Sequence, residues 1–522
     1  MNANDPQGEV FAFLADPVTH GMILADEEVK RIDTHAAAIF LAGPLAYKVK
    51  RRVRFPFLDF STLDKRKVAC EAELAVNRPL APALYRRVVP VTRERDGTLA
   101  LDGAGEPVEW AVEMARFDEN ATLDHLAARG ELDPELADAL ARVAAAAHAR
   151  APVADAKAWP ARLAGYIAQN HSELNEHPDL FEPAQVETLS RASRAALRRN
   201  ERLLRERGEA GLVRRGHGDL HLGNIVLIDG KPVVFDAIEF DPLIATGDVL
   251  YDLAFLLMDL TERGLDAAAN VVLNRYLAET RRSEDLDGLA ALPLFLSLRA
   301  AIRAKVTAAR LDLAADDEGI AAARNYFRLA VRLIAPPRAM LVGVGGLSGS
   351  GKSTLAHALA PTLGPAPGAV VLRSDTERKA LLGVAETARL PATAYAPEVT
   401  RRVYAALADK ARRVTAAGHA AIIDAVFAQP DERAKATAAA RAAHVDFHGV
   451  FLTAGIEERV ARVSTRANDA SDADAAIARE QESYDLGKLD WSKVDAAGSL
   501  DATLAAAQAA IKSHAPREPA PR

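Results

Sequence analysis

Cysteine and aromatic residues are scarce in this sequence, and no apolar run in it is long. The 522 residues include one cysteine, Cys70, and 5% aromatic residues. A single cysteine excludes an intramolecular disulfide and fits a reducing compartment. Because Cys70 lies in an Ala/Glu/Leu-rich stretch, we expect a buried structural thiol rather than a nucleophile.

The sequence also has no membrane or secretion signal of the usual kind. No window approaches about 20 uninterrupted apolar residues, the length that a membrane-spanning helix needs. The first residues, Met-Asn-Ala-Asn-Asp-Pro, are polar and lack the basic-then-apolar pattern of a signal peptide. We therefore expect a cytoplasmic protein with no membrane partner.

An excess of positive charge is missing as well. The chain has 65 Lys and Arg against 72 Asp and Glu, and its formal net charge is −7. This balance gives no reason to expect a nucleic-acid partner, which usually requires a basic face. The hydrophobic fraction of 49% is that of an ordinary folded protein, and the length exceeds what one core accommodates. We predict more than one domain.

The first motif that carries chemistry is a polar loop followed by a short apolar run. Residues 217–224 read His-Gly-Asp-Leu-His-Leu-Gly-Asn, and the run Val-Val-Phe ends at Asp236. Phosphoryl transfer needs an aligned acceptor hydroxyl and cations that neutralise the phosphate oxygens. Asp219 can orient that hydroxyl or take its proton, whereas Asn224 and Asp236 can ligate Mg²⁺. The spacing therefore predicts Asp219 as catalytic and Asn224 and Asp236 as metal ligands.

The second motif is a glycine-rich loop. Residues 346–354 read Gly-Leu-Ser-Gly-Ser-Gly-Lys-Ser-Thr and follow an apolar strand at 340–344. This pattern is a P-loop, whose backbone N–H groups surround ATP phosphates at a helix N-terminus. Lys352 is predicted to act on the β- and γ-phosphates and Ser353 to ligate Mg²⁺. The other predicted nucleotide contacts are Gly346, Gly349, Ser350, Gly351 and Thr354.

The order of elements predicts two domains with different architectures. Strands at 36–54 around Gly43-Pro44, at 86–92 and at 108–115 precede helical sequence over 118–206 and 248–334, and a helix is expected at 62–79. The pair Pro336-Pro337 ends the last helix. Strands at 368–373, 419–424 and 446–453 then alternate with helices, as in a parallel sheet of βαβ units. The predicted boundaries are 1–335, a linker at 336–340, 341–512, and a disordered Pro-rich tail at 513–522.

The first motif supports a family resemblance. Residues 217–241 resemble the aminoglycoside phosphotransferase and choline kinase superfamily, whose loop reads HGDxxxxN rather than the HRDLxxxN of protein kinases. The segment Gly247–Ala254 looks like the helix that follows in this family, where an Asp braces the catalytic loop. The resemblance covers about residues 10–335 and implies a bilobal, protein-kinase-like α+β fold. It also implies Asp219 as the catalytic base.

The same resemblance implies a Lys on the third strand of the small lobe and a Glu on the following helix. Lys48 is our choice for the phosphate-binding Lys, and Lys50, which has the same strand parity, is its rival. Glu73 is favoured over Glu71 as its partner. Strand order places the adenine contact on the backbone near Met114. No GxGxxG loop precedes this strand, which disfavours a protein kinase.

Residues after the P-loop indicate a kinase rather than a motor. A strand at 370–375 ends in Asp375, with Arg378 close behind, and the Walker-B-like run at 421–424 ends in Asp424, which can hold the water shell of the metal. This domain is similar to the gluconate-kinase and adenylate-kinase-like P-loop group over about residues 340–510. That resemblance implies Asp375 and Arg378 as acceptor-site residues. The alternative for Asp375 is a helix N-cap.

A set of arginines follows on a predicted helix. Arg459, Arg462 and Arg466 precede the polar stretch 468–473 and look like a lid that closes over phosphates. Because Arg462 and Arg466 are spaced i,i+4, surface salt bridges are the alternative. The carboxylates Glu239 and Asp241 of the first site are similarly open between a second metal and a salt-bridged or solvated role.

Together the two motifs predict an ATP- and Mg²⁺-dependent phosphotransferase with two kinase-type sites. We expect hydroxyl groups of small metabolites, such as sugars, amino sugars, aminoglycosides or amino alcohols, as acceptors. The alternative is a single-activity kinase whose other ATP-binding domain is a regulatory nucleotide sensor.

Overall fold

The structure of the chain is a computed structural model that describes residues 6–22, 28–55, 58–311, 316–465 and 470–513. It divides into two compact units. The first contains Met1–Trp159 and Gly208–Asp259, and the second contains Pro160–Arg207 and Leu260–Arg522. The helices that precede the P-loop and the sheet that carries it therefore lie in the same unit. None of the helices among the described residues is both long and apolar enough to cross a membrane.

The first unit is built on a six-stranded antiparallel sheet. Its strands are β1 (Lys30–Asp33), β2 (Ala37–Ala42), β3 (Leu45–Lys50), β6 (Tyr85–Arg93), β7 (Leu99–Leu101) and β8 (Glu106–Ala115). Their order in the sheet is β1-β2-β3-β8-β6-β7. A two-stranded hairpin, β4 (Arg54–Phe55) and β5 (Leu58–Asp59), follows β3.

Two helices flank this sheet. The side chains of α1 (Pro6–Ala15) pack with those of one face, including Phe40, Val49 and Val91. Helix α2 (Leu63–Asn77) begins at the N-cap Thr62, whose hydroxyl accepts a hydrogen bond from the Lys65 N–H. It places Cys70 in the core of the other face. The two apolar faces of the sheet are thus both covered.

The predicted hairpin around Gly43-Pro44 is present. Ala42 pairs with Leu45, and Gly43 has a φ of +53°, a value that favours glycine in a tight turn. The predicted helix over 62–79 and the strands over 86–92 and 108–115 are also found, as α2, β6 and β8. Helix α1 and strand β1 were not predicted, because neither carries a motif or a strong periodic pattern.

The remaining elements of the first unit surround the HGD loop. They are the helices α3 (Leu123–Ala128), α4 (Pro134–Arg150) and α7 (Val249–Glu262), and the strands β9 (Val213–Arg215), β10 (Ile225–Ile228), β11 (Lys231–Val234) and β12 (Thr246–Asp248). Strands β10 and β11 form one antiparallel pair, and β9 and β12 form another. The HGD loop connects β9 to β10, and Asp236 follows β11.

The second unit begins with helices that pack on one another. They are α5 (Trp159–Asn175), α6 (Pro183–Glu209), α8 (Asp266–Thr280), α9 (Ser283–Gly288), α10 (Leu292–Leu311) and α11 (Asp317–Ile334). Buried ionic contacts tie them together: the guanidinium of Arg207 on α6 lies 3.2 Å from the carboxylate of Asp285 on α9. The exposed segment 335–338 separates α11 from the next strand.

The P-loop sheet is entirely parallel, as predicted. Its strands are β13 (Met340–Gly346), β14 (Val370–Arg373), β15 (Ala421–Asp424), β16 (Asp446–Thr453) and β17 (Ser492–Asp495), in the order β14-β15-β13-β16-β17. The flanking helices are α12 (Lys352–Leu359), α13 (Ser374–Leu381), α14 (Pro397–Ala416), α15 (Pro430–Ala442), α16 (Ile456–Ser464), α17 (Ala475–Glu480) and α18 (Leu500–Ser513). Parallel strands end at one edge, so the carboxyl ends of β13, β14 and β15 meet there. Ser513 is the last residue of α18, and the rest of the predicted tail, 514–522, lies outside the described residues.

Candidate active sites

The HGD loop holds Asp219 and Asn224 against each other. The side-chain amide of Asn224 donates hydrogen bonds to the Asp219 backbone carbonyl at 3.0 Å and to its Oδ2 at 3.1 Å. The imidazole Nε2 of His221 lies 3.4 Å from the same carboxylate oxygen. Asn224 is buried, whereas the Asp219 side chain is 39% exposed. Asp219 can therefore meet an incoming hydroxyl while its neighbours fix its orientation.

Two buried carboxylates on α7 brace this loop from behind. Asp252 accepts the backbone N–H groups of His217 at 2.8 Å and Gly218 at 2.9 Å. Asp259, two turns later on the same helix, accepts the N–H of Leu222 at 3.0 Å. Hydrogen bonds to a charged acceptor contribute about 1.5–3 kcal/mol each. The expected bracing Asp is thus at position 252, and Asp259 is a second brace that was not predicted from the sequence.

His217 is a neutral imidazole in this arrangement. Its Nε2 lies 2.9 Å from the Phe235 carbonyl, and its Nδ1 accepts the N–H of Asp219 at 3.3 Å. Since a carbonyl only accepts, the proton resides on Nε2. Burial lowers the pKa of His217 against the opposing effect of Asp252. The imidazole therefore joins the catalytic loop to the strand end that precedes Asp236.

Asp236 adopts an unusual backbone conformation. Its φ is +61°, which is uncommon for a residue with a side chain and which clusters at functional sites. The Tyr85 hydroxyl accepts the Asp236 N–H at 3.2 Å. The side-chain amide of Asn77 on α2 forms two hydrogen bonds with the backbone of Ala237: it accepts from the N–H at 2.7 Å and donates to the carbonyl at 3.2 Å. These contacts hold the 42%-exposed carboxylate of Asp236 in place.

A chain of buried charges connects Asp236 to the small lobe. The ammonium of Lys48 lies 2.5 Å from Asp236 and 2.8 Å from Glu73, and that of Lys50 lies 2.5 Å from both Glu73 and Glu239. Burial disfavours charge on Lys48, but Asp236 and Glu73 outweigh it and raise its pKa well above the ordinary value. Burial likewise opposes ionisation of Glu73, yet the two ammonium groups lower its pKa to about 2. Both predicted lysines therefore share one carboxylate.

The other carboxylates considered for this site have different surroundings. Glu71 is exposed and lies 4.0 Å from Lys67, away from Lys48. Glu239 is buried and salt-bridged to Lys50, and burial raises its pKa in spite of that contact. Asp241 accepts the Leu243 N–H at 2.8 Å, which is a local turn bond.

Met114 and Cys70 both lie beside this site. Met114 is the penultimate residue of β8 and pairs with Ala46 and Tyr85 on either side. An adenine contact on its backbone remains a prediction.

Cys70 is buried, as expected, and burial raises the pKa of its thiol to about 12, which makes it a poor nucleophile.

The donor set at the first site fits Mg²⁺. No group of three or more His, Cys, Asp or Glu side chains within the described part of the chain could hold a metal ion by itself. Mg²⁺ commonly takes only one or two protein oxygens and completes its octahedral shell with phosphates and water. The carboxylate of Asp236 and the amide oxygen of Asn224 are such a pair.

The P-loop backbone adopts conformations that favour glycine. Gly346 and Gly349 have φ values of +142° and +84°. A methyl group on Gly349 would lie 2.4 Å from the Arg459 carbonyl. Gly351 is the N-cap of α12, so the N-terminus of that helix faces the loop. Ser350 is fully buried in the loop, whereas Thr354 is exposed on α12.

The predicted metal-binding residues of the P-loop domain are brought together. The hydroxyl of Ser353 donates to Asp424 Oδ2 at 2.6 Å, because β15 lies directly beside β13. Arg373 Nε lies 3.3 Å from the same oxygen. The ammonium of Lys352 donates to the Leu347 carbonyl at 3.1 Å, across the opening of the loop. Ser353 and Asp424 form a pair of oxygen groups that fits Mg²⁺ together with phosphate.

Asp375 faces this group from the start of α13. The N-cap position of that helix is Arg373, without a side-chain cap bond, so Asp375 is not the N-cap. Burial raises the pKa of the Asp375 carboxyl, Asp424 adds to this effect, and Arg373 opposes it. Arg378 is buried; it donates to the Ala394 carbonyl at 2.8 Å and lies 4.7 Å from the Tyr395 ring centre.

The predicted lid arginines have different surroundings. Arg459 is fully buried and donates to the Ala478 carbonyl at 3.1 Å, so it holds the loop from outside rather than covering phosphates. Arg462 forms the i,i+4 salt bridge with Glu458, and its Nη1 is also near the P-loop, 3.7 Å from where a methyl group on Gly351 would be. Arg466 lies outside the described residues.

Three polar contacts of the P-loop domain, made by Gln481 and Asp472, were not predicted. The side chain of Gln481 accepts the Ser348 N–H at 2.6 Å. Asp472 accepts the Tyr395 hydroxyl at 2.6 Å and lies 3.4 Å from the buried ammonium of Lys379. These residues are far apart in sequence and match no motif, so nothing in the sequence indicates that they meet.

Comparison with known sequences agrees with the two-domain interpretation. Residues 49–292 match the model of the phosphotransferase enzyme family, and residues 341–485 match the model of an AAA domain. Proteins of Mycobacterium bovis and Mycobacterium tuberculosis, both described as uncharacterized, are 29% identical over 484 residues, which cover 90% of this chain and 93% of theirs. The similarity to these relatives therefore extends through both domains.

Solved structures resemble each domain separately. A choline/ethanolamine kinase family protein from Mesorhizobium loti is 14% identical and covers 63% of this chain and 95% of its own, with a TM-score of 0.38. A gluconokinase from Sinorhizobium meliloti 1021 is 19% identical and covers 34% of this chain and 93% of its own, with a TM-score of 0.25. Scores of this size carry no argument about activity. The chain thus joins a segment that matches the phosphotransferase enzyme family to a P-loop segment that matches an AAA domain.

Proposed function

We propose that the chain transfers the γ-phosphoryl group of ATP to hydroxyl groups of small metabolites at two separate sites. The observation that carries this proposal is the arrangement of side chains at the first site. A half-exposed Asp219 lies beside Asn224, and Asp236 contacts Lys48, which is paired with Glu73. A binding module has no need of this combination of an acceptor-orienting carboxylate, cation ligands and a phosphate-binding ammonium.

At the first site each residue has a distinct role. Lys48 exchanges its contact with Asp236 for the ATP phosphates, while Glu73 keeps its ammonium aligned. Asp236 and Asn224 would hold Mg²⁺, which offsets charge on the phosphate oxygens. Asp219 accepts a hydrogen bond from the acceptor hydroxyl, whose oxygen forms the new bond to the γ-phosphorus as the bond to the β-phosphate oxygen breaks. The hydroxyl proton passes to Asp219 and then to solvent.

At the second site the P-loop performs the same reaction with different residues. Lys352 and the loop N–H groups bind the β- and γ-phosphates, and Ser353 and Asp424 would hold Mg²⁺. We assign Asp375, at the start of α13, to the acceptor. Its raised pKa places it closer to neutrality than an exposed carboxyl, a property suited to a group that receives a proton.

Separate inactivation of the two sites tests the proposal. The purified chain would be screened with Mg-ATP against sugars, amino sugars, aminoglycosides and amino alcohols. We expect Asp219→Asn to lower one transfer activity by about 10²–10⁴-fold, the usual contribution of a general base, and to leave the other unchanged. Lys352→Ala should do the reverse.

Two other outcomes have definite meanings. Loss of one and the same activity in both variants would identify one domain as a nucleotide sensor that regulates the other. No transfer to any acceptor, with basal ATP turnover unchanged in Asp219→Ala, would refute the proposal.

A further inference from the structure

Helix α8 covers the outer edge of the P-loop sheet. Among the residues that the structure describes, strand β14 is at the end of that sheet and pairs with β15 alone. An edge strand leaves backbone N–H and C=O groups that need partners. The side-chain amide of Asn274 supplies both: its Oδ1 accepts the Val371 N–H at 2.7 Å, and its Nδ2 donates to the Ala369 carbonyl at 3.1 Å. A neighbouring strand would bond the same two groups.

Asn270, one turn earlier on α8, extends this contact. It is buried and donates to the carbonyls of Pro367 and Ala369, both at 3.1 Å. A methyl group on Gly368 would lie 2.9 Å from the Asn270 amide nitrogen, and Gly368 has a φ of +109°. The chain entering β14 thus approaches α8 as closely as only glycine permits.

A third residue of α8 contacts the segment that follows β14. The guanidinium of Arg275 lies 2.8 Å from Glu386, whose other carboxylate oxygen accepts the Thr376 hydroxyl at 3.3 Å. Burial opposes ionisation of Glu386, but its hydrogen bond to Arg275 prevails and lowers its pKa. Thr376 is adjacent to Asp375. Helix α8 therefore contacts the chain both before Arg373 and after Asp375.

We propose that Asn274 is a positioning residue for the P-loop site, supplied by a helix that lies within the phosphotransferase match. The Val371 N–H that it fixes is two residues before Arg373, which binds the Asp424 carboxylate, and four before Asp375. Lys352 and Ser353 are on α12 instead, and Ser353 is linked to β14 indirectly, through the Asp424 carboxylate that it shares with Arg373. Asn274 should thus affect the acceptor side of the site more than ATP binding. This inference rests on the proposed kinase function of the P-loop domain.

The test compares Asn274→Ala with Asn325→Ala in the full-length chain. Asn325 is an exposed residue of α11 and serves as the matched control. Both variants carry Asp219→Asn, so that the remaining Lys352-dependent turnover of Mg-ATP reports on the P-loop site. Hydrogen exchange of peptides spanning 372–377 is measured in parallel, together with thermal unfolding.

We expect Asn274→Ala to speed exchange across 372–377 by roughly tenfold, because the end of β14 that follows Val371 opens more easily once the bond at Val371, about one net hydrogen bond, is lost. The kcat of Lys352-dependent turnover should fall several-fold while the KM for ATP stays within about twofold. Asn325→Ala should change neither. Unchanged exchange across 372–377 would overturn the inference, and so would a parallel loss of kcat, ATP affinity and thermal stability, which would indicate a purely structural contact. If the parent shows no Lys352-dependent turnover, the proposed function of this domain fails and the exchange measurement alone decides about Asn274.

Discussion

Lys48 and Lys50 share one carboxylate but differ in their second partner. The second partner of Lys48 is Asp236, whose side chain is 42% exposed, whereas that of Lys50 is Glu239, whose side chain is 7% exposed. The half-exposed carboxylate can be given up to a cation, and the buried one cannot be left unpaired. The two lysines therefore have separable roles, one in phosphate binding and one in holding Glu73 in place.

Substitution of each lysine by Met should separate these roles. We expect Lys48→Met to lower Asp219-dependent turnover by about 10²-fold or more, since it removes a preorganised charge at the phosphates, with a small effect on stability. Lys50→Met leaves Glu239 buried without its partner and should lower the free energy of unfolding by about 3 kcal/mol. Turnover and thermal unfolding of both variants check this. If folded Lys50→Met were inactive and Lys48→Met active, the assignment would be reversed.

The burial of His419 predicts that the stability of the P-loop domain depends on pH. It is buried, its Nε2 lies 2.8 Å from the Gly368 carbonyl, and burial lowers its pKa from 6.5 to about 4. As the pH falls, the unfolded chain therefore binds the proton first. The contribution of neutral His419 to the free energy of unfolding is complete above pH 6.5 and is lost as the pH falls toward 4. The shift corresponds to about 3 kcal/mol at most.

The variant His419→Gln keeps a donor for Gly368 but cannot titrate. Between pH 7 and 4.5 its apparent Tm should fall less than that of the parent. The control variant His357→Gln replaces an exposed imidazole of the same domain, and its apparent Tm should fall as much as that of the parent. Equal acid sensitivity in His419→Gln and the parent would contradict the prediction.

The residues to which we assign the chemistry of the first site stand in a recognisable motif, whereas the residues that support this motif do not. Asp219, Asn224 and Asp236 stand at fixed spacings within one motif. Asn77 and Asp259 contact that motif from positions 160 and 37 residues away from the groups they bind. An Asn or Asp in a helix has no pattern that reveals such a contact, because it depends on how the elements pack.

At the scale of elements, the P-loop is determined as much by α16 as by its own sequence. Gly349 has a φ of +84°, and its Cα lies against the backbone of Arg459 on α16. Arg459 is fully buried and cannot move away easily. The glycine is needed here for two independent reasons, the backbone conformation and the close approach.

Gly349→Ala should therefore raise the KM for ATP of Lys352-dependent turnover by about tenfold or more, because strain and the clash together cost at least about 1–3 kcal/mol. Gly455→Ala is the matched control: Gly455 has a φ of −60°, and a methyl group there would have no atom within 4 Å. The KM of each variant checks this prediction. An unchanged KM in Gly349→Ala would show that the loop does not bind ATP in this conformation.

Strands that are apolar runs were predicted, including the edge strand β14, whereas the mostly polar strand β17 was not. Strands β13 to β16 are apolar runs flanked by helices, so their existence and parallel arrangement followed from the sequence. Strand β17, with the sequence Ser-Lys-Val-Asp, has one apolar residue in four. It is a strand because β16 offers it an open edge, and this is a property of the assembled sheet.

At the scale of the whole molecule, the contacts of α8 and α9 mean that the linker is not the only connection to the P-loop domain. Asn274 bonds the edge of β14, and Asp287 of α9 lies 2.9 Å from Arg413 of α14. Both contacts lie inside the second compact unit. The predicted boundary at 336–340 follows the chemistry of Pro336-Pro337, but no motif or periodic pattern indicates these contacts across it.

Cleavage of the linker tests whether these contacts hold the second unit together. A protease site inserted between Pro337 and Arg338, in the exposed segment after α11, would cut the backbone without touching either active site. We expect the two fragments to co-elute in size-exclusion chromatography at micromolar concentration, and the doubly substituted Asn274→Ala, Arg413→Ala chain to separate after cleavage. Asn274→Ala leaves two backbone groups of β14 unpaired, which costs about 1–3 kcal/mol, whereas the Arg413–Asp287 pair is 33% and 41% exposed and contributes about 0–1 kcal/mol. Together these losses should weaken association by about ten- to thousandfold. Separation of the unsubstituted fragments would show instead that the covalent linker alone keeps the second unit together.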